Sequence, residues 1–207
     1  MQGQKILILD DHSMIRKGIR VTIESAFGLT NINEVASCSA LLSFLRGNRV
    51  THLLLDLLVS DGNTLEIIPV IKSLYPEIRI LVFTMQPPEV YAVALKQYGI
   101  YEYLHKESCE EITINTLRKF LLEPKRIPKD TDSDPSNESS NPFARLTPRE
   151  LEVLHYILKG NGTKQIADTL NLQMSTVSTL KSRIFEKTNA DNIKEIIDLA
   201  LLYNIGS

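Results

Sequence analysis

Short apolar runs punctuate the first part of the chain at residues 6–9, 32–35, 53–55, 80–83 and 101–104. Runs such as "ILIL" and "HLLL" show no polar alternation, as expected of strands covered on both faces of a parallel sheet. Between them, at 14–25, 40–46, 65–74, 90–98 and 111–121, apolar residues recur at helical spacing, which predicts amphipathic helices. Five alternating strand–helix units predict an α/β doubly wound five-stranded parallel sheet. From residue 146 the pattern changes. Leu151, Leu154, Ile157 and Leu158 share one helical face, with Leu146 packing just ahead, Thr147 as N-cap and Pro148 in the first turn. Gly160 and Gly162 end that helix, Thr163 caps the next, and Asn171 makes a left-handed turn. A third helix spans about 175–187, burying Val177, Leu180 and Ile184, and a fourth carries Ile193 to Leu201. The prediction is a small all-α four-helix domain containing a helix-turn-helix.

Composition divides these patterns without altering them. The stretch "EPKRIPKDTDSDPSNESSNPFAR", 123–145, is dominated by Pro, Ser, Asp and Asn. It has too little apolar surface to offset the entropy of ordering, and it reads as a flexible linker between domains at 1–122 and 146–207. The whole chain is 207 residues, 43% hydrophobic, with a net charge of −2. That balance excludes a general polyanion binder, so any nucleic-acid contact must be local. Two distant cysteines, Cys38 and Cys109, read as reduced thiols. No apolar run reaches the length of a membrane span, and no basic segment precedes an apolar stretch at the N-terminus. The expectation is a soluble cytoplasmic protein that does not engage membranes.

The chemistry gathers where strands end. Asp10 and Asp11 follow strand one, Asp56 follows strand three, Thr84 ends strand four and Lys106 follows strand five. Ligand sites of doubly wound sheets lie beyond the carboxyl ends of the strands, at the switch in strand order. If the order is 2-1-3-4-5, three carboxylates share one small region. Their repulsion calls for a cation, and Mg²⁺ or another hard divalent ion suits oxygen ligands. An aspartate can also carry a phosphoryl group as an acyl phosphate. Lys106 can neutralise phosphoryl charge, the Thr84 hydroxyl can donate to a phosphoryl oxygen, and the backbone of Leu58 can offer the metal a carbonyl. Taken singly, each residue has a plainer role: a turn acid, a solvated lysine, a strand-end hydroxyl. His12, His52 and His105 read as structural.

"LDDHSMIRKGI", "LLLDLL", "LVFT" and "YEYLHK" together resemble a response-regulator receiver domain over nearly all of residues 4–122. The resemblance implies the flavodoxin-like order 2-1-3-4-5, Asp10 and Asp11 as metal-site acids, and Asp56 as phosphoacceptor. It further implies Thr84 as switch hydroxyl, Lys106 as phosphate-sensing amine and Tyr103 as the aromatic that moves with Thr84. The chain departs from the family at Ser60, where proline is usual, at Thr64, where glycine is usual, and at Met85, where a small residue is usual.

The second domain carries seven Lys/Arg and seven Asp/Glu, but its third helix concentrates Lys181, Arg183 and Lys187 among Ser175, Thr176, Ser178, Thr179 and Ser182. Short hydroxyls permit close approach to a duplex, and the cations reach phosphates or guanine edges. The stretch from "LTPRELEVL" to "SRIFEKTNA" resembles a LuxR/NarL-type output domain. By position, that resemblance turns Ser178, Thr179 and Ser182 toward bases and makes Thr176 and Lys181 backbone or base contacts. Gln173, Ser178 and Leu180 depart from the family's usual serine, lysine and histidine. The apolar fourth helix is expected to supply a dimer face.

Together the two resemblances imply a two-component response regulator, not an enzyme: phosphorylated on Asp56 by a histidine kinase, homodimeric when active, and bound to double-stranded DNA. Two other readings compete. One is a phosphate-independent DNA-binding regulator whose receiver only dimerises. The other is an aspartate-nucleophile phosphohydrolase, although such enzymes usually place a second acid two residues after the nucleophile, where this chain has Leu58.

Overall fold

The computed structural model describes residues 3–86, 88–96, 98–124, 141–203 and 205. In chain order the elements are β1 (Ile6–Leu9), α1 (Ser13–Phe27), β2 (Ile32–Val35), α2 (Cys38–Gly47), β3 (His52–Leu55), β4 (Leu58–Val59) and β5 (Gly62–Asn63). There follow α3 (Ile68–Leu74), β6 (Arg79–Thr84), α4 (Pro88–Lys96), β7 (Glu102–His105) and α5 (Glu110–Leu122). The later helices are α6 (Pro148–Leu158), α7 (Thr163–Thr169), α8 (Met174–Thr188) and α9 (Ile193–Leu202). These elements fall into two compact units: one holds the described residues up to 86 and 98–124, the other α4 and the residues from 141 onward.

In the first unit, five parallel strands lie in the order β2-β1-β3-β6-β7. This is the expected order. The apolar runs explain it: all four residues of β1 and of β3 are buried, as only strands covered on both faces require. Ile19 and Ile23 of α1 and Leu117, Phe120 and Leu121 of α5 pack with Ile6, Ile8, Leu54, Leu81 and Leu104 in one core. Each such side chain contributes roughly 1.5–3 kcal/mol of burial free energy. Helix α1 ends on Gly28, whose left-handed φ of 67° lets its N–H return to Glu24 O.

The structure adds an element that apolar runs could not announce. Residues 58–59 and 62–63 form a two-stranded antiparallel hairpin. Its tip residue Asp61 accepts hydrogen bonds from the amides of Cys38 and Ser39, at 2.8 and 3.1 Å, at the start of α2. Those bonds, opposed by burial, hold the Asp61 carboxyl below its ordinary range, while burial and then Asp61 push the Cys38 thiol up to about 11.

In the second unit, α6 begins with a capping box: Thr147 Oγ1 accepts from the Glu150 amide, and Glu150 Oε2 accepts from the Thr147 amide at 2.7 Å. Helix α7 differs from expectation by one position. Gly162, not Thr163, is the N-cap, because the Gln165 side chain accepts the Gly162 N–H at 2.8 Å. Asn171 takes the expected left-handed turn at φ 50°. Leu172 N then bonds Ala167 O at 2.8 Å, closing the turn into α8. Val177, Leu180 and Ile184 are buried. The linker expected over 123–145 lies mostly outside the described residues. Its end, Pro142–Arg145, is a turn of 3₁₀ helix with Phe143 buried.

Candidate functional site

The ladder register carries the acids together. Leu9 of β1 pairs with Leu55 of β3, and Thr84 of β6 with His105 of β7. Backbone bonds then run one residue past the strands. Asp10 N donates to Val35 O at 3.3 Å, Asp56 N to Leu9 O at 2.9 Å, and Lys106 N to Thr84 O at 2.9 Å. Asp10 and Asp56 therefore leave the sheet at one level on the adjoining strands β1 and β3, and Lys106 leaves β7 on the far side of β6, which ends on Thr84.

Lys106 Nζ sits between the carboxylates, 2.6 Å from Asp10 Oδ2 and 2.5 Å from Asp56 Oδ2. All three side chains are nearly fully buried. Burial pushes the Asp56 carboxyl above its ordinary range, and the hydrogen bonds from Lys106 and Thr84 offset this only in part. Burial also works against the Lys106 ammonium, but the bonds to Asp10 and Asp56 outweigh it and hold Lys106 above its usual value. The lysine stays charged in the midst of acids that repel one another.

Thr84 is buried, bonded to Asp56 and accepting from the Gln86 amide at 3.4 Å. The Tyr103 hydroxyl donates to Gln86 O at 2.6 Å. Tyr103 and Thr84 thus hold the same short loop from two sides. Leu58, in β4, donates its amide to Asp56 Oδ1 at 3.4 Å. Met85, beside Thr84, is exposed, and its carbonyl accepts from His105 Nε2 at 3.0 Å.

Three contacts went unforeseen. The Thr64 hydroxyl donates to Asp56 O at 2.7 Å, tying down the loop behind Asp56. Arg16 donates to Asp10 O at 2.6 Å and also meets Glu34. His12, read as structural, stands at the acids, its Nδ1 2.8 Å from Asp11 Oδ1. Adjacency in "DDH" was the one available signal; the contacts to Asp56 O and Asp10 O span eight and six residues and depend on how the intervening loops turn. His52 is in the core, its ring edge-on to Phe120. Burial, with Arg79 nearby, lowers its pKa to about 4, so it is neutral.

One oxygen or nitrogen from each of Asp10, Asp11, His12 and Asp56 lies within 4.8 Å of the others. Asp10 Oδ2 faces the Lys106 ammonium at 2.6 Å and Asp11 Oδ1 faces the His12 ring at 2.8 Å. Three carboxylates gathered this closely repel one another, so the cluster fits a divalent cation held through oxygen.

On α8 of the second unit, Thr176, Ser178, Thr179, Ser182 and Arg183 are exposed. Ser178, Thr179 and Ser182 bond back to the carbonyls four residues earlier, at 2.9, 3.0 and 3.1 Å. Lys181 reaches Thr163 Oγ1 at 3.3 Å. Lys187, also expected at the DNA face, pairs its ammonium with Glu150 Oε2 at 2.7 Å. Glu150 is buried and needs that cation; burial raises its pKa, but the bonds from Lys187 and Thr147 prevail and lower it. On α9, Ile196 and Ala200 face inward, while Ile193, Ile197, Leu201 and Leu202 are exposed.

Comparison with known proteins agrees with both halves. Residues 6–118 match the model of the response regulator receiver domain, and residues 144–200 that of bacterial regulatory proteins of the luxR family. The chain is similar to the virulence factors putative positive transcription regulator BvgA of Bordetella pertussis, with 32% identity covering 98% of this chain and 99% of that one. It is also similar to the response regulator UvrY of Escherichia coli K12, with 25% identity covering 97% and 94%. Among solved structures, the RcsB response regulator of Salmonella typhimurium, studied for conformational dynamism in DNA interaction, superposes with a TM-score of 0.63. Its identity is 24%, over 98% of this chain and 99% of that one, and that likeness supports the fold alone.

Proposed function

We propose that phosphorylation of Asp56 is the input of this chain, which belongs to the response regulators with a LuxR-family output domain. The donor is a sensor histidine kinase. An Asp56 carboxylate oxygen attacks the phosphorus of a phosphohistidine; the new P–O bond forms as the P–N bond breaks, and the imidazole leaves. The observation that carries this reading is Asp56 itself, buried beside Thr84 with the Lys106 ammonium 2.5 Å away. Phosphoryl transfer asks for positioning and charge neutralisation, which these groups supply. Asp10, Asp11, Asp56 and the Leu58 carbonyl are the groups proposed to hold Mg²⁺, which when bound lowers the repulsion between carboxylate and phosphoryl oxygens. Slow self-dephosphorylation is the one further reaction assigned to the chain.

Once Asp56 is modified, Lys106 and the Thr84 hydroxyl have a new anion to bind. Thr84 leaves the Gln86 amide, and Tyr103, bonded to Gln86 O, follows. The equilibrium shifts only as far as phosphate binds one state better than the other. The output is binding of double-stranded DNA by α8 through Thr176, Ser178, Thr179, Lys181, Ser182, Arg183 and Lys187, with the exposed apolar face of α9 joining two copies. Among the described residues no helix is long and apolar enough to cross a membrane, and we place the protein in the cytoplasm, where kinase and DNA meet.

Incubating the full chain with Mg²⁺ and a small phosphodonor, then weighing it intact, tests the input. The expected result is a gain of one phosphoryl group, absent in Asp56→Asn. The phosphate-independent reading draws on Met85, a long side chain exposed beside Thr84. No gain with the donor or with any kinase, together with unchanged DNA binding in Asp56→Asn, would favour it.

A further inference from the structure

Thr64 is the first residue after the hairpin of β4 and β5, and it is fully buried. Its hydroxyl donates to Asp56 O at 2.7 Å and stands 3.1 Å from Leu57 O. Its N–H donates to Leu57 O at 2.9 Å. A hydroxyl has one proton, which the two carbonyls share, while the amide secures the second of them. One residue thus holds both carbonyls that precede Leu58. The glycine usual at this position in receiver domains could supply the amide but not the hydroxyl, so the tie to Asp56 O is this chain's own.

Peptide planarity carries the effect to the site. In a trans peptide the C=O and the N–H point in opposite directions. With Leu57 O held toward Thr64, the Leu58 N–H points away from it, and it faces Asp56 Oδ1 at 3.4 Å. That is longer than an ordinary N–H···O bond of about 2.7–3.2 Å. The Leu58 amide is therefore aimed at the acceptor oxygen yet loosely engaged, ready for an oxygen that arrives there. With Asp56 O tied as well, the residue that bears the carboxylate cannot turn without breaking a buried bond. Donors fixed before charge develops need no reorganisation when it does. The hairpin has a second anchor, Asp61 on the Cys38 and Ser39 amides, but that one is exposed.

We infer that Thr64 is a positioning residue for phosphoryl transfer: its hydroxyl, acting through the Asp56 and Leu57 carbonyls, sets the Asp56 carboxylate and the Leu58 amide in the attitude that receives the phosphoryl group. The inference rests on the reading of Asp56 as phosphoacceptor and deepens it by naming what holds that residue in place.

The test is the rate at which the full chain gains a phosphoryl group from acetyl phosphate, read by intact mass at saturating donor and Mg²⁺. Wild type, Thr64→Val, Thr64→Ser and Asp61→Ala are compared well below their melting temperatures. Thr64→Val keeps the shape and removes the hydroxyl, and is expected to slow uptake about tenfold or more. Thr64→Ser keeps the hydroxyl and should run close to wild type. Asp61→Ala loosens the same hairpin from outside, and should lower the melting temperature while leaving the rate nearly unchanged. Should circular dichroism show Thr64→Val unfolded, Thr64→Gly takes its place with the same expectation. Equal rates in wild type and the variant without the hydroxyl, or equal slowing by that variant and Asp61→Ala, would overturn the assignment and leave the proposed function standing. A wild type that gains no phosphoryl group from acetyl phosphate or from any kinase would overturn both.

Discussion

The strand ends of the receiver and the exposed face of α8 both gather polar side chains, but they hold them in opposite ways. At the strand ends the charges are buried and interlocked: Lys106 lies between Asp10 and Asp56, Thr84 bonds Asp56, and Thr64 bonds its carbonyl. On α8 the hydroxyls are exposed and turned back on their own helix. A buried site is assembled before its ligand arrives, and a change in one member is felt by all. An exposed face awaits its partner, and a change in one member is felt only on binding. Sensitivity to mutation should therefore differ between them in kind as well as in size.

The largest break is Lys106→Met. It leaves Asp10 and Asp56 facing each other in a buried site, and removal of one partner from a buried ion pair costs about 3–5 kcal/mol. Chemical denaturation should show that loss in the first unit, and millimolar Mg²⁺ should restore part of it. Next comes Arg183→Ala, an exposed cation on α8. Its loss should cost about 1–3 kcal/mol of duplex affinity while the melting temperature stays put, a contrast that parallel binding and melting experiments read directly.

Much of this contrast was legible in the sequence, for identifiable reasons. The runs before Asp10, Asp56 and Lys106 define strand ends, and strand ends define the site. A periodicity argument finds those because it needs only neighbours. It could not find the hairpin at 58–63, which is too short to carry a pattern, nor Thr64 reaching Asp56 O, which depends on that hairpin. It misassigned the cap of α7, since Gln165 secures Gly162 through a side chain. For Lys187 the charge was visible but not its partner: Glu150 lies 37 residues away in sequence, and only packing makes that pair.

Lys187 yields the third prediction. Glu150→Gln removes the carboxylate that both caps α6 and holds Lys187, and should destabilise the second unit by about 1–3 kcal/mol near neutral pH. The Glu150 pKa is lowered in the fold. Its contribution is therefore present above the ordinary carboxylate range and lost as pH falls through the depressed value. The gap between variant and wild type in a pH series of melts should close in acid.

Asp56 has the opposite sign. Its folded pKa is raised, so the ionised form weighs against folding above that value, and the penalty fades as pH falls. Asp56→Asn should thus melt higher than wild type at neutral pH, by an amount that shrinks toward acid. The smallest effect belongs to α8: Ser178→Ala, at an exposed hydroxyl, should change stability by less than about 0.5 kcal/mol.

The central claim is that chemistry at Asp56 governs what α8 does. The most direct measurement is the affinity of the full chain for duplex DNA before and after phosphodonor treatment, with the mass of the subunit assembly followed in the same samples and Asp56→Asn alongside. The account predicts that treated wild type becomes a dimer and binds more tightly, while treated Asp56→Asn does neither. Equal affinity in the treated and untreated protein, once the mass confirms that Asp56 carries its phosphoryl group, would contradict it.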